Sequence, residues 1–305
     1  MQTPILSDRA FHAHKARGVI YTVLSALLFG VTPVLASWTF DMGSNANTLT
    51  FYRNLLAVPV LAVIMLVKHI PFGLSRKELG LLLVVGVGFR ATTTFMLYQS
   101  YAYIPVGTAT TLHFFYPMVT ALLCLVVFRE RLCAAKIVAL VLACVGVAMF
   151  AEKADGNALP GLLLALASAV TYACYLTGMD KTSLRQMNGT KVACYMGLFN
   201  ALAVLAVDQV PHQIVFALPP LAMLYTFIIA ICTSFFAYWL LQRGIQVLGA
   251  PTAAIFCLFE PIGSVVSGAL FLNERMNLRS MIGCVCVLGA VLITVLYDRR
   301  AKSDI

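Results

Sequence analysis

Ten apolar stretches divide the chain, and they constrain its fold more than any other feature of the sequence. They lie near 18–40, 47–67, 79–101, 107–128, 133–151, 160–179, 190–208, 220–242, 249–272 and 278–297. A helix of roughly 20 residues rises about 30 Å, which is the thickness of the hydrocarbon layer of a bilayer. Charged residues make up only 11% of the chain, against about 25% in soluble domains. We therefore predict an all-α integral membrane protein with ten transmembrane helices.

The basic residues predict how these helices are oriented. If the N-terminus is cytoplasmic, the segments on that side hold most of the 21 Lys and Arg residues, and the opposite loops hold Lys153, Arg275 and Arg279. Short cytoplasmic loops are enriched in Lys and Arg. This pattern predicts an inner-membrane protein with cytoplasmic tails at 1–17 and 298–305. The net charge of +9 then reflects topology, and we expect no nucleic-acid partner.

The nine cysteines lie almost all within apolar stretches, and none has the CxxC or Cys/His spacing of a metal site. A buried cysteine usually behaves as a small hydrophobic residue. The sequence therefore predicts neither a metal site nor a cofactor.

The two halves of the chain resemble each other. Residues 107–131 align with 251–275 without gaps, and the matches include Pro117 with Pro261 and the Glu130–Arg131 pair with Glu274–Arg275. These matched residues are not choices that lipid contact would impose. We predict two repeats, 18–151 and 160–297, of five helices each. Because five is an odd number, the second repeat would cross the membrane in the opposite sense to the first.

This pattern resembles the EamA-type exporters of the drug/metabolite transporter superfamily. The resemblance rests on the proline of the fourth span with its following Glu-Arg pair, on their counterparts in the ninth span, and on Phe51-Tyr52-Arg53 at the start of the second. It implies a ten-helix bundle around a central cavity formed largely by spans three, four, eight and nine. It also implies export of amino acids or related small metabolites by alternating access.

Two features depart from that family pattern. The seventh span reads from Lys191 to Asn200 without an arginine to match Arg53. Arg90, within the third span, is not part of the pattern either. We therefore treat Arg90 as a candidate for the specificity of this protein.

Arg90 lies near the middle of the third span, on one helix face with Gly86, Thr93, Thr94 and Tyr98. A charged side chain at that depth costs about 2.5–3.5 kcal/mol on insertion scales, so it usually faces a cavity or a partner. The guanidinium would hold a substrate carboxylate through two parallel hydrogen bonds. The alternative is a structural ion pair or an arginine bound to backbone carbonyls. We place Arg90, Thr94 and Tyr98 in a predicted substrate site.

Glu260 is the acidic residue within the predicted spans, and Pro261 follows it. It would couple transport to a proton or contact an ammonium group; the alternative is a packing glutamate that is hydrogen-bonded across the bundle. Its repeat equivalent, Tyr116, stands beside Pro117. Proline disfavours helical geometry at the preceding residue, so both prolines predict kinks that free carbonyl groups to line a cavity.

Four further side chains enter the predicted site or its margin. His113 shares a face with Tyr116 and would relay protons, or would be a neutral residue hydrogen-bonded to a threonine or tyrosine. Tyr238 and Trp239 are candidates for the cavity wall, although most membrane aromatics pack or sit at the interface. Arg53 lies near the outer end of the second span, where its side chain would either take part in the site or extend to the membrane interface.

An enzyme would need a constellation such as HExxH or paired aspartates at membrane depth, and the spans hold none. A channel or receptor remains an alternative, but duplication with matched prolines is typical of alternating access. A third alternative keeps transport and changes the substrate to nucleotide sugars or sugar phosphates. We predict a small-molecule substrate and a lipid bilayer as partners, and the sequence is compatible with a homodimer.

Overall fold

The computed structural model describes residues 8–100, 103–104, 106–129, 134–149, 158–209, 213–271 and 278–300. None of these residues forms a strand. In chain order the α-helices are α1 (Asp8–Asp41), α2 (Ala46–Val67), α3 (Arg76–Leu82), α4 (Thr92–Ser100), α5 (Val106–His113), α6 (Tyr116–Val126), α7 (Ala134–Ala148), α8 (Leu159–Lys181), α9 (Gly189–Val207), α10 (Pro220–Ile229), α11 (Tyr238–Leu248), α12 (Ala250–Phe256), α13 (Phe259–Phe271) and α14 (Leu278–Arg300). Two π-helical segments, π1 (Leu83–Ala91) and π2 (Ala230–Ala237), join α3 to α4 and α10 to α11.

Within the described residues, seven helical stretches are long and apolar enough to cross a membrane: Lys15–Asp41, Ala46–Val67, Arg76–Leu97, Leu159–Lys181, Gly189–Val207, Pro220–Leu248 and Ala250–Phe271. The other three predicted stretches contain shorter apolar helices, Tyr116–Val126, Ala134–Gly146 and Met281–Ala290. The all-α class is therefore confirmed for the described residues, and the count of ten spans stays a prediction.

Helix α1 begins at Asp8 and α14 ends at Arg300, so both helices run into the predicted tails. Asparagine side chains cap two of the long helices: Asn45 accepts a hydrogen bond from the Thr48 amide at 2.9 Å at the start of α2, and Asn188 caps α9. Such caps satisfy amide groups that the first helical turn leaves unpaired.

The helix is interrupted just before each of the two matched prolines. Helix α5 ends at His113 and α6 begins at Tyr116, whereas α12 ends at Phe256 and α13 begins at Phe259. Proline has no amide hydrogen and its ring clashes with the carbonyl four residues earlier, so Pro117 and Pro261 cannot continue the preceding helix. The π-helical segments occur at corresponding places too, in the third predicted span of each half.

Helices from corresponding spans of the two halves pack against each other. Helix α2 packs against α9, α6 against α12, and α7 against α14. The first long helix of each half packs on the other half: α1 lies along α11 and α13, and α8 lies along α4 and α6. The centre of the bundle therefore lies where the two halves interdigitate.

Glycines permit the closest of these contacts, and we expect Gly30→Ala to destabilise the protein. A Cβ atom at Gly30, in α1, would lie 2.6 Å from the backbone oxygen of Glu260 and 2.9 Å from the Cα of Gly263 in α13. Because backbone cannot move aside like a side chain, this overpacking should cost about 1–3 kcal/mol of unfolding free energy. Thermal unfolding in detergent would measure the loss.

Gly80→Ala is the matched control, since a Cβ atom at Gly80 meets nothing within 4 Å. At such a helical site alanine is expected to be neutral or to stabilise by up to about 1 kcal/mol. Equal unfolding temperatures for the two variants would contradict the close backbone approach at Gly30.

Candidate functional site

Arg90 lies in a cage of three tyrosines at the end of π1. Its guanidinium carbon is 4.9 Å from the ring centroid of Tyr238, 5.2 Å from that of Tyr172 and 5.6 Å from that of Tyr175. These distances are within the range of cation–π attraction. Tyr172 and Tyr175 share a face of α8 because they are three residues apart. We call Tyr172, Tyr175 and Tyr238 the tyrosine cage.

The guanidinium also donates two hydrogen bonds to a single oxygen. Its Nε is 2.8 Å from the Tyr238 hydroxyl, and Nη2 donates to the same hydroxyl. This is the edge with which arginine grips a carboxylate, whose two oxygens accept one N–H each. Tyr238 therefore occupies the edge of Arg90 that a carboxylate would use.

Arg90 and Glu260, both among the described residues, form no ion pair within 4.0 Å. Glu260 lies half-buried in the first turn of α13, and the cations close enough to act on its carboxylate are Arg90 and Arg53. The structural ion pair that we weighed for Arg90 is therefore not formed with Glu260. The carboxylate lies in the electrostatic field of two arginines without being bound by either.

His113 and Tyr116 extend the aromatic cluster across the first helix interruption. Tyr116 is 4.6 Å from Tyr172 between ring centroids, and His113 is 5.2 Å from the same ring. The Nδ1 of His113 is 3.0 Å from the Ser168 hydroxyl, which itself donates to the Ala165 carbonyl. That hydroxyl is then the acceptor for Nδ1–H. The geometry is that of the hydrogen-bonded histidine that we weighed, but the partner is a serine and not a threonine or tyrosine.

The other predicted site residues divide between two regions. Thr94 lines a cavity and approaches the Arg90 carbonyl at 3.4 Å. Trp239 is not part of the tyrosine cage, because its ring packs on Tyr21 at 6.2 Å and lies under the Arg243 guanidinium at 5.4 Å. Tyr98 belongs to α4, and its side chain lies outside the part of the chain that the structure describes.

A cavity of about 180 Å³ opens beside the cage. It is lined by Asn47, Thr50, Arg53, Asn54, Val87, Ala91, Thr92, Thr94, Phe95, Asn200, Ala203, Val204, Val207 and Tyr238. The resemblance implied a cavity between spans three, four, eight and nine. Most of these lining residues come from the second, third and seventh spans, where α2 packs along α9 and α9 packs against π1. Tyr238 separates the cavity from Arg90.

Sequence reasoning missed most of the polar groups of this cavity. Thr50, Asn54 and Asn200 are buried, and Arg53 is only 8% exposed, so it does not extend to the membrane interface as one of our alternatives had it. Thr50, Arg53 and Asn54 stand at helical spacing on one face of α2, which was an available signal. Nothing in the sequence placed Asn200 of α9 opposite them. Tyr172 and Tyr175 were not assigned to the site either, because the sequence does not distinguish them from other aromatic residues of the spans.

Comparisons with known proteins agree with this architecture. The EamA-like transporter family matches residues 16–151 and again 159–296. The uncharacterized transporter YcbK of Bacillus subtilis is 28% identical over 94% of this chain and 95% of its own length. The uncharacterized inner membrane transporter YicL of Salmonella typhimurium is 23% identical over 93% and 97%.

A third relative, the uncharacterized transporter sll1319 of Synechocystis, is 26% identical over 93% of this chain and 91% of its own length. A solved crystal structure superimposes with a TM-score of 0.81 over 94% of this chain and 99% of the other, at 16% identity, which shows a shared fold. The family and the names of these relatives indicate a transporter rather than an enzyme. The chain belongs to the EamA-like transporter family and is a multi-pass membrane transporter.

Proposed function

We propose that this protein exports small carboxylate metabolites, such as amino acids, across the inner membrane by alternating access. The observation that carries the proposal is Arg90, a buried cation with no ion-paired acid among the described residues, next to a cavity and beside interrupted helices. A buried charge that lacks a counter-ion is expensive, and in a transporter it usually marks the substrate path.

The chemistry of Arg90 favours a carboxylate. The guanidinium presents two N–H groups to the one hydroxyl of Tyr238, and a carboxylate would accept them separately with better geometry. The cavity of about 180 Å³ is smaller than the ~300–1,000 Å³ pockets that hold drug-sized ligands. That size supports a small metabolite over a nucleotide sugar.

Two matched structural features support alternating access. Each half has a π-helical segment in its third predicted span and an interruption before a proline in its fourth. In our proposal the chain has ten spans in two inverted repeats, with both termini cytoplasmic, and the interruptions at Pro117 and Pro261 are the hinges. Such interruptions let one half rock against the other at modest cost, as in carriers built from inverted repeats.

Glu260 is proposed as the coupling group. Its carboxylate is the acid that both Arg53 and Arg90 can influence, so its protonation would change the net charge of the centre. A substrate carboxylate that arrives between two arginines would compete with Glu260, and protonation of Glu260 would relieve that competition.

Reconstituted proteoliposomes would test the proposed function. We expect saturable uptake of amino acids or small organic acids, changed by an imposed pH gradient. Uptake of sugar phosphates in their place would favour the alternative substrate class, and non-saturating flux would indicate a channel. The absence of carboxylate transport by folded, reconstituted protein would contradict the proposal.

Tyr238→Phe is expected to lower the apparent KM for the carboxylate by about 10- to 100-fold, the usual worth of a hydrogen bond to a charged group. The substitution keeps the ring that faces Arg90 and removes the hydroxyl that competes with substrate. Uptake kinetics would measure the change. Tyr225→Phe is a suitable control because that ring packs on Trp38. A higher KM in Tyr238→Phe alone would show that the hydroxyl assists binding instead.

A further inference from the structure

The cavity contains an arginine for which the structure provides no partner. Arg53 makes no hydrogen bond or ion pair with the rest of the described chain, and its Nε is buried without an acceptor. A cation that is 8% exposed and unpaired is rare, because burial removes its hydration and nothing replaces it.

Three unpaired oxygens accompany this arginine. Thr50 Oγ1, Asn54 Oδ1 and Asn200 Oδ1 are each buried without a hydrogen-bond partner, and all three residues line the same cavity. The amide of Asn54 is oriented by its Nδ2, which donates to the Thr50 carbonyl at 2.8 Å. That bond fixes Oδ1 as the unused acceptor of Asn54.

Arg53 and Asn200 lie at the same depth on adjacent helices. Arg53 is in the second turn after the start of α2, and Asn200 is two turns before the end of α9, so both lie roughly 10 Å from that end of the bundle at 1.5 Å per residue. Arg90 is deeper, beyond Tyr238. One cation therefore lies on each side of the Tyr238 side chain.

We propose that Arg53, Thr50, Asn54 and Asn200 form a second substrate subsite, which binds a small carboxylate with a hydrogen-bond donor on the adjacent carbon. Arg53 holds the carboxylate, and the unpaired amide and hydroxyl oxygens accept from the hydroxyl or ammonium group next to it. No acidic residue is among the described residues that line the cavity, and Glu260, the carboxylate near enough to feel Arg53, forms no ion pair with it. The inference rests on the proposed function and adds to it a second binding position for the substrate, separate from Arg90.

Binding to the purified protein in detergent tests the subsite directly. Calorimetric titration would use propionate, lactate, alanine and the neutral propionamide as probes. We expect lactate and alanine to bind more tightly than propionate, and propionamide not to bind. Arg53→Gln should weaken the binding of lactate and alanine by about 10- to 100-fold, the usual worth of a hydrogen bond to a charged group. Arg53→Lys should restore part of the loss.

Asn200→Ala distinguishes the binding of the ligand's adjacent hydrogen-bond donor from the binding of its carboxylate. It should weaken lactate and alanine binding but leave propionate binding unchanged, since propionate has no donor for the amide oxygen. An equal loss for all three carboxylates would overturn the assignment of the amide oxygens. Arg243→Gln, which removes an exposed arginine outside the cavity, is the matched control and should change none of these affinities.

Thermal unfolding distinguishes a binding role from a structural one. Because Arg53 forms no hydrogen bond or ion pair with the described part of the chain, Arg53→Gln should unfold without ligand at the wild-type temperature or above it. A marked decrease would identify Arg53 as a structural residue and overturn the inference. If the wild type transports carboxylates while Arg53→Gln binds them normally, the subsite alone fails; if the wild type neither binds nor transports them, the proposed function fails with it.

Discussion

Arg90→Gln is expected to reduce carboxylate transport by at least about 100-fold, which corresponds to about 2.7 kcal/mol at 1.36 kcal/mol per tenfold change. Glutamine retains a donor but removes the charge and the paired N–H edge that grips two carboxylate oxygens. It also removes the cation from the tyrosine cage. Initial uptake rates in proteoliposomes, normalised to the amount of folded protein, would measure the loss.

Arg90→Lys tests geometry separately from charge. A lysine keeps the positive charge but presents no planar fork, so we expect it to recover less than a tenth of the wild-type rate. Arg243→Gln serves as the control for removing one arginine from the chain. Near-normal transport by Arg90→Lys would mean that the charge alone matters, and near-normal transport by Arg90→Gln would remove Arg90 from the substrate path.

Glu260→Gln is expected to abolish the response of transport to a pH gradient. Glutamine has nearly the shape of a protonated glutamate, so the side chain at position 260 would be neutral at every pH. Exchange of labelled for unlabelled substrate across the membrane should continue, because it needs no net proton movement. Comparing gradient-driven uptake with exchange in the same proteoliposomes would separate the two activities.

Glu78→Gln controls for the loss of a carboxylate. Glu78 is partly exposed and accepts a hydrogen bond from the Ser75 amide at the start of α3, so its removal should cost only the stabilisation from that helix cap. We expect its pH response to equal that of the wild type. A pH response preserved in Glu260→Gln would assign coupling to another group, with His113 as the next candidate.

Much of the helical framework was predictable from the sequence because local chemistry decides it. Apolar stretches of sufficient length must form helices in lipid, where backbone groups cannot remain unpaired. Pro117 and Pro261 predicted the two interruptions for an equally local reason, the missing amide hydrogen. The π-helical segments were not predicted, since no residue type marks them as proline marks a break.

Only the tertiary structure decided which polar groups meet. The sequence singled out Arg90 and Glu260 as lone charges at depth, but their separation depends on how π1 and α13 are placed, and Tyr238 rather than Glu260 binds the guanidinium. Likewise, Arg53 could be read as an interfacial residue until the packing of α2 on α9 enclosed it beside Asn200. Helical periodicity fixes which residues share a face of one helix, whereas contacts between helices depend on their rotation and depth, which no single stretch of sequence encodes.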